Sequence, residues 1–445
     1  MRLWMDRSLD VAATSTLLSF YRKAGHLLGP ALNLLLERRT KRGKEERSRR
    51  PERFGISSRH RPAGPLVWVH AASVGETNAA MPVIREITAR NINVLLTTGT
   101  VTSAKIARDQ LPERAIHQYV PFDAEPYIKP FLDNWAPDLA LLVESEIWPL
   151  TLAELGDRSI PVVILNGHIS TRSVEHWQRV RTFATQVFGN IDLCLAQSEE
   201  DAALFSRLGV ISAKSTGNLK FDRDPPFVDA DALEDARKLV AGRPVWIAAS
   251  THADEESLAL SAHAEILKQA ADSLLIIAPR HPQRGEEIAE LIRKAGLSVA
   301  VRSKGEVPGA GIEVYLADTI GDLGLLYRLS EVAFVGGSFA ERGGQNPVEP
   351  AQLGIPVLHG PNVRNFKGIY QDLNKVGGAW RCATEADFKQ AVNKLLFDAG
   401  KRALLAQTAE SYVAGQRGAL GRTLDALNPF LEALVERVPG KRESL

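Results

Sequence analysis

The chain has 445 residues, 44% hydrophobic and 24% charged, which is too apolar for a disordered protein and long enough for two or three domains. Its 54 lysines and arginines nearly balance 53 aspartates and glutamates, so the overall charge gives no reason to expect a nucleic-acid partner. Only Cys194 and Cys382 are present, too few for a disulfide framework or a four-thiolate metal centre, and a reducing, cytosol-facing setting is expected.

The first 60 residues differ from the rest. Two apolar stretches, Val11–Tyr21 and Ala24–Leu36, are broken by Arg22, Lys23, His26, Gly29 and Pro30. Neither reaches the roughly 18 residues of a spanning helix, and no small-residue cleavage site marks a removable signal. Between Arg38 and Arg61 eleven lysines and arginines face only Glu45, Glu46 and Glu52. One reading is a solvated, partly helical arm. The other, preferred, is an interfacial anchor whose apolar residues enter the bilayer while the basic run meets anionic headgroups on the cytoplasmic side.

Beyond residue 60, short apolar strands alternate with helical segments. Leu66–His70, Asn93–Thr97, Leu139–Val143, Val162–Leu165 and Leu193–Ala196 read as strands, with helices such as Val74 to about Arg90 between them. The pattern then restarts with Pro244–Ala248, Ser273–Ala278, Val332–Val335 and Ile355–Leu358. Phe221–Ala232, rich in proline and aspartate, reads as the linker. The expected fold is α/β: two Rossmann-like, doubly wound parallel sheets facing each other across a cleft, with ligands at the carboxyl ends of the strands.

The motifs fall at those ends. Ser73-Val74-Gly75-Glu76 is a capping box, or a glutamate placed to act as general base on a hydroxyl, and the residues alone leave both open. Glu144-Ser145-Glu146 places two carboxylates after a strand, with Pro149 opening the next helix; one of them favours that helix dipole or steadies charge on a substrate. Lys220, in Asn218-Leu219-Lys220, is a solvated charge or a partner for phosphate or carboxylate. Pro279-Arg280-His281-Pro282 is a rigid loop with a candidate anion clamp. Gly336-Gly337-Ser338 and Gly343-Gly344-Gln345-Asn346-Pro347-Val348-Glu349 combine glycine-rich loops, which can offer free amides to phosphate or ribose, with a helix capped by Asn346, opened by Pro347 and carrying Glu349 third. No phosphate-binding loop with its lysine and no His-Glu-x-x-His pair occurs. Asp222-Arg223-Asp224 has metal-nucleotide spacing but lies in the linker, so no metal is required.

The motifs HAASVGE (70–76), ESEIWP (144–149), GNLKFD (217–222), STH (250–252), PRHP (279–282), DTIGDL (318–323) and FVGGSFAERGGQNPVEPA (334–351), with ERFG (52–55), resemble those of 3-deoxy-D-manno-octulosonic acid (Kdo) transferases, in family order, from about residue 50 to about 425. The resemblance implies a GT-B glycosyltransferase on the cytoplasmic face of the cell inner membrane. It would move Kdo from CMP-Kdo to a lipid A precursor in lipopolysaccharide inner-core synthesis, by inverting displacement without metal or cofactor. It implies residues 1–60 as apolar anchor and basic arm in contact with membrane lipids, 61–222 as acceptor domain, 223–232 as linker, and 233–445 as CMP-Kdo domain with C-terminal helices.

Carried over residue by residue, Glu76 is the proton acceptor, and Glu144 and Lys220 stabilise the transition state. Pro279, Arg280, Gly321, Asp322, Leu323, Asn346, Pro347, Val348 and Glu349 match segments that hold CMP. Asp322 stands where glutamate is more frequent, Ser145 where threonine is usual and Gln345 where histidine is common. Rival readings are a GT-B transferase or epimerase using another nucleotide sugar, and a non-catalytic membrane-binding protein.

Overall fold

The computed structural model describes residues 16–437, which form two units, residues 16–223 with 417–437 and residues 224–416. The first unit holds β1 (Leu66–His70), β2 (Asn93–Thr98), β3 (Ala115–Tyr119), β4 (Leu139–Val143), β5 (Val162–Gly167), β6 (Leu193–Ala196) and β7 (Ala213–Ser215). They run in the order β3-β2-β1-β4-β5-β6-β7, every pair parallel. Alternate residues of each strand enter opposite apolar layers: Trp68, Leu142 and Ile164 join one, Val67, Val69, Leu141 and Val143 the other. Both faces are therefore covered, which is why these strands read as unbroken apolar runs. The chain winds outward from β1 to β3, then returns to place β4 on the other side of β1. The strand ends of β1 and β4 flank the switch point where a doubly wound sheet receives its ligand.

The second unit repeats the plan with β8 (Val245–Thr251), β9 (Leu274–Pro279), β10 (Val299–Val301), β11 (Val314–Leu316), β12 (Val332–Val335), β13 (Val357–His359) and β14 (Ala379–Arg381), in the order β10-β11-β9-β8-β12-β13-β14. All its pairings are parallel. Its switch point lies between β8 and β12. There a Cβ on Gly336 would meet the Ser250 carbonyl oxygen at 2.7 Å, so this glycine serves strand packing.

Two domain boundaries differ from the sequence reading. The last helix, Ala419–Val435, belongs to the first unit, not to 233–445: Ala426, Leu427, Leu431 and Leu434 bury in the same layer as Val83, Ile84 and Ile87. Asp222 fastens its start, accepting from the Gly418 amide at 2.6 Å and from the Leu420 amide. The N-terminal segment is also less detached than an anchor and arm imply; the part of the first apolar stretch before Thr16 lies outside the described residues. In the helix Thr16–Leu27, Leu18 packs with Leu150 and Ala153, and Arg22 pairs with Asp157 at 2.7 Å. In the basic run, Arg53 is only 5% exposed and pairs with buried Glu45, while Arg49 pairs with Glu52. Both guanidinium groups also lie over the Tyr119 ring. No helix among the described residues is long and apolar enough to cross a membrane.

Candidate active site

At the switch point of the first unit, Ser73 caps the helix Val74–Ala89, its hydroxyl oxygen accepting the Glu76 amide at 3.3 Å. The Ser73 hydroxyl donates to Glu76 Oε1 at 2.6 Å and the Ala72 amide to Oε2 at 2.8 Å. In a full capping box the carboxylate would take the amide of Ser73 itself; here it reaches one residue further back, toward the end of β1. Glu76 is 9% exposed. Burial pushes its carboxyl above the ordinary range and the charges of Glu146 and Glu144 push it further, while the Ser73 and Ala72 bonds restrain the rise. A Cβ on Gly75 would meet only Ser73 Oγ, at 3.9 Å.

From β4, Glu144 pairs with Lys220 Nζ at 2.5 Å. Lys220 sits in a 3-10 turn, Leu219–Phe221, whose amide at Lys220 is held by the Asn218 side chain at 3.0 Å. Buried Asn166, at the end of β5, donates to Glu144 at 3.5 Å and accepts the Leu219 amide at 2.9 Å, tying the lysine turn to the sheet. Glu144 and Asn166 adopt φ of +60° and +53°, a region costly for residues with a Cβ. Both lie where these polar side chains converge, and of the two glutamate bears the greater cost, since asparagine tolerates this region.

Glu146 accepts from the Trp148 indole at 2.8 Å and contacts His70 Nε2 at 3.3 Å. Burial would raise its carboxyl, but the bonds to His70 and Trp148 and the charge of His70 outweigh it and hold the group below the usual range. The two glutamates after β4 thus have separate partners. The sequence reading did not single out His70, Asn166 or His168, although a polar Asn-Gly-His after an apolar strand is a signal of the kind used elsewhere.

In the second unit, Pro279 ends β9 and the Arg280 amide donates to Thr251 O at 3.0 Å. The Arg280 side chain is exposed. With burial first, its charge also helps hold His252 and His281, whose rings stand 5.5 Å apart, below the usual imidazole range. In the Gly321-Asp322-Leu323 segment, Gly321 has φ +101° and no atom within 4 Å of a would-be Cβ. Arg302 grips Asp322 with two bonds of 2.8 and 2.9 Å, and Thr319 adds a third. The hydrogen bond from Arg302 is the main reason the Asp322 carboxyl lies below its ordinary range.

Two expectations for this unit need correction. Rather than standing free, the amides of Gly337, Ser338 and Phe339 donate to buried Glu255 at 2.7, 2.9 and 2.9 Å. Those of Gly344 and Gln345 donate back to Gly337 and Gly336. The helix after them begins at Val348, not Pro347, and spans Val348–Gln352. Asn346 still holds the Val348 amide at 3.1 Å, as a cap does, and touches Glu349 at 3.4 Å. Among the described residues no three histidine, cysteine or carboxylate side chains are grouped to hold a metal.

Two all-parallel Rossmann-like units, with charged side chains at their strand ends, define a two-unit α/β protein of the GT-B-like fold. The fold is shared, at a TM-score of 0.55 and 14% identity, with UDP-GlcNAc 2-epimerase from Neisseria meningitidis bound to UDP-GlcNAc, over 82% of this chain and all of that one. Residues 48–223 match the family described as 3-deoxy-D-manno-octulosonic-acid transferase (kdotransferase). The chain is 35% identical to 3-deoxy-D-manno-octulosonic acid transferase of Bordetella pertussis over 91% of its own length and 97% of that protein's. It is 34% identical to the Haemophilus influenzae transferase of that name, over 87% and 92%. The chain belongs to the 3-deoxy-D-manno-octulosonic acid transferase family of glycosyltransferases.

Proposed function

We propose that this chain transfers Kdo from CMP-Kdo to the hydroxyl of a lipid A precursor of the lipid IVA type, inverting the anomeric carbon in one displacement. The observation that carries the reading is Glu76: a nearly buried carboxylate at the β1–β4 switch point, its carboxyl held above the ordinary range chiefly by burial and further by Glu146 and Glu144. A base tuned in this way accepts the hydroxyl proton as the new bond forms. Lys220, oriented by Glu144 and Asn166, offsets negative charge that builds as CMP departs. In the second unit Arg280 is the exposed cation for a phosphate or carboxylate, and Pro279, Gly321 to Leu323 and Asn346 to Glu349 form the rest of the nucleotide site. Because Glu255 occupies the Gly337–Phe339 amides, the phosphate relies on side-chain charge instead.

The chain would act on the cytoplasmic face of the cell inner membrane. Leu17, Phe20 and Leu27 on the helix Thr16–Leu27, Leu28 at the junction, and Leu34 and Leu35 on the helix Gly29–Lys41 are exposed, beside exposed Arg38, Lys41, Arg42 and Lys44, which suits a surface that lies on anionic lipid. Incubation with CMP-Kdo and a tetra-acylated lipid A precursor, followed by mass analysis of the lipid, tests the reading. A lipid mass increased by Kdo supports it; no product, together with binding of UDP in preference to CMP, would move the chain to another nucleotide sugar.

A further inference from the structure

β5 ends in a register shift between Leu165 and Gly167 against β6. A Cβ on Gly167 would meet Cys194 Sγ at 2.6 Å, so the chain turns tightly there. The turn sends Asn166 to Glu144 and His168 to Asp201, whose Oδ1 lies 2.9 Å from the imidazole Nδ1. Asp201 is buried and already satisfied as part of a helix start. It exchanges bonds with Ser198, the cap of Glu199–Leu208, at 2.7 and 3.0 Å, and takes the Ile169 amide at 3.1 Å. That cap is complete without a histidine, and the His168 side chain is 56% exposed, so packing does not explain it either. With Nδ1 committed to the aspartate, Nε2 is directed away from it and makes no hydrogen bond among the described residues.

We infer that His168, oriented by Asp201, is an oxyanion-binding residue of the first unit's site, its Nε2–H donating to a carboxylate or phosphate of a substrate. The inference rests on the transfer reaction proposed above, whose substrates carry both groups. A carboxylate-held imidazole is a fixed, directional donor. The charged groups that bear on the ring are Asp201 from its helix, Glu144 from the end of β4 and Lys220 from the 3-10 turn. The Asp201 bond outweighs burial and Glu144 adds to it, against Lys220, so the cation persists to higher pH than in an ordinary histidine. As pH rises through that raised midpoint the cation, and with it the anion contact, is lost.

The test compares full-length wild type, His168→Gln and His168→Arg in steady-state kinetics with CMP-Kdo and a bisphosphorylated, tetra-acylated lipid A precursor, across pH. His168→Gln should raise the KM of one substrate about ten- to a hundredfold with kcat changed less. His168→Arg should restore it and remove the alkaline rise in KM. An effect on the acceptor that vanishes with a dephosphorylated acceptor assigns the contact to phosphate; an effect on CMP-Kdo that is the same with either acceptor assigns it to the donor. Both KM values within twofold of wild type in His168→Gln, or His168→Arg no better than glutamine, overturns the inference. Imidazole NMR of the wild-type chain, with inorganic phosphate or free Kdo, needs no turnover and so separates this claim from the transfer reaction. The His168 midpoint should move up with at least one of them; no movement with either refutes the contact.

Discussion

Glu76→Gln separates a helix cap from a base, because the structure assigns different consequences to each. The two bonds that hold the carboxylate come from the Ala72 amide and the Ser73 hydroxyl. A glutamine oxygen can keep the amide bond, and its NH2 can donate to Ser73 Oγ once that hydroxyl rotates. The fold should lose no more than about 1 kcal/mol from these contacts. A second effect opposes even that loss. The Glu76 carboxyl is raised in the folded state by burial and by Glu146 and Glu144, so the native chain binds its proton more tightly than the unfolded one. Stability from this group is therefore highest below its unfolded value and declines as pH rises through the folded one. At neutral pH the ionised carboxylate is a cost that glutamine relieves, so the variant should unfold at the same temperature as wild type or slightly higher. Turnover should fall by about 10²–10⁴-fold, or ~2.7–5.4 kcal/mol of transition-state stabilisation. Thermal unfolding, CMP-Kdo binding and mass analysis of the lipid product measure the three quantities. A folded variant that keeps more than about a tenth of the wild-type rate refutes the base assignment, and Glu144 becomes the next candidate.

The acid limb of kcat/KM should lie above the ordinary glutamate range, since the base must be ionised, and Glu146→Gln should move it to lower pH by removing one of the charges that raise Glu76; an unmoved limb would assign it to another group. Arg280→Ala should weaken CMP-Kdo binding by about ten- to a hundredfold with acceptor KM little changed, and titration of the donor within twofold of wild type would remove Arg280 from its site. Replacing exposed Leu27, Leu28, Leu34 and Leu35 with serine should reduce recovery on anionic vesicles while CMP binding holds; these positions are preferable to deleting the segment, because Leu18 and Leu36 are buried. Asp222→Ala should cost about 1–2 kcal/mol by uncapping the last helix, seen as a lower melting temperature, and an unchanged melting curve would show that the helix does not need this cap.

Much of the sheet was readable in the sequence. Leu66–His70, Leu139–Val143 and Leu274–Pro279 are apolar runs buried on both faces, and a run of that length between turn signals is what a central parallel strand requires. Strands such as β3 and β7, with sequences AIHQY and AKS, escaped because a sheet margin buries less and tolerates polar residues. Glu144 and Arg280 were visible as candidates because charge at the carboxyl end of an apolar strand has little packing purpose, Glu76 because it closes a cap motif at such an end, and Lys220 because it stands just before the linker.

What remained hidden depends on partners far away in the chain. The apolar stripe of Ala419–Val435 shows that the helix buries a face, yet not that the face lies on the first unit beside Ile84; Asp222, almost two hundred residues earlier, anchors it. Nothing near Gly337 discloses that Glu255 fills its loop, and nothing near His168 discloses Asp201. Local composition settles which residues prefer a strand, a cap or a turn, because those preferences are set within a few residues. Which carboxylate raises another, which lysine is paired and which amides are free are settled by distances in space, and only the packed sheets and the turns at their ends supply those.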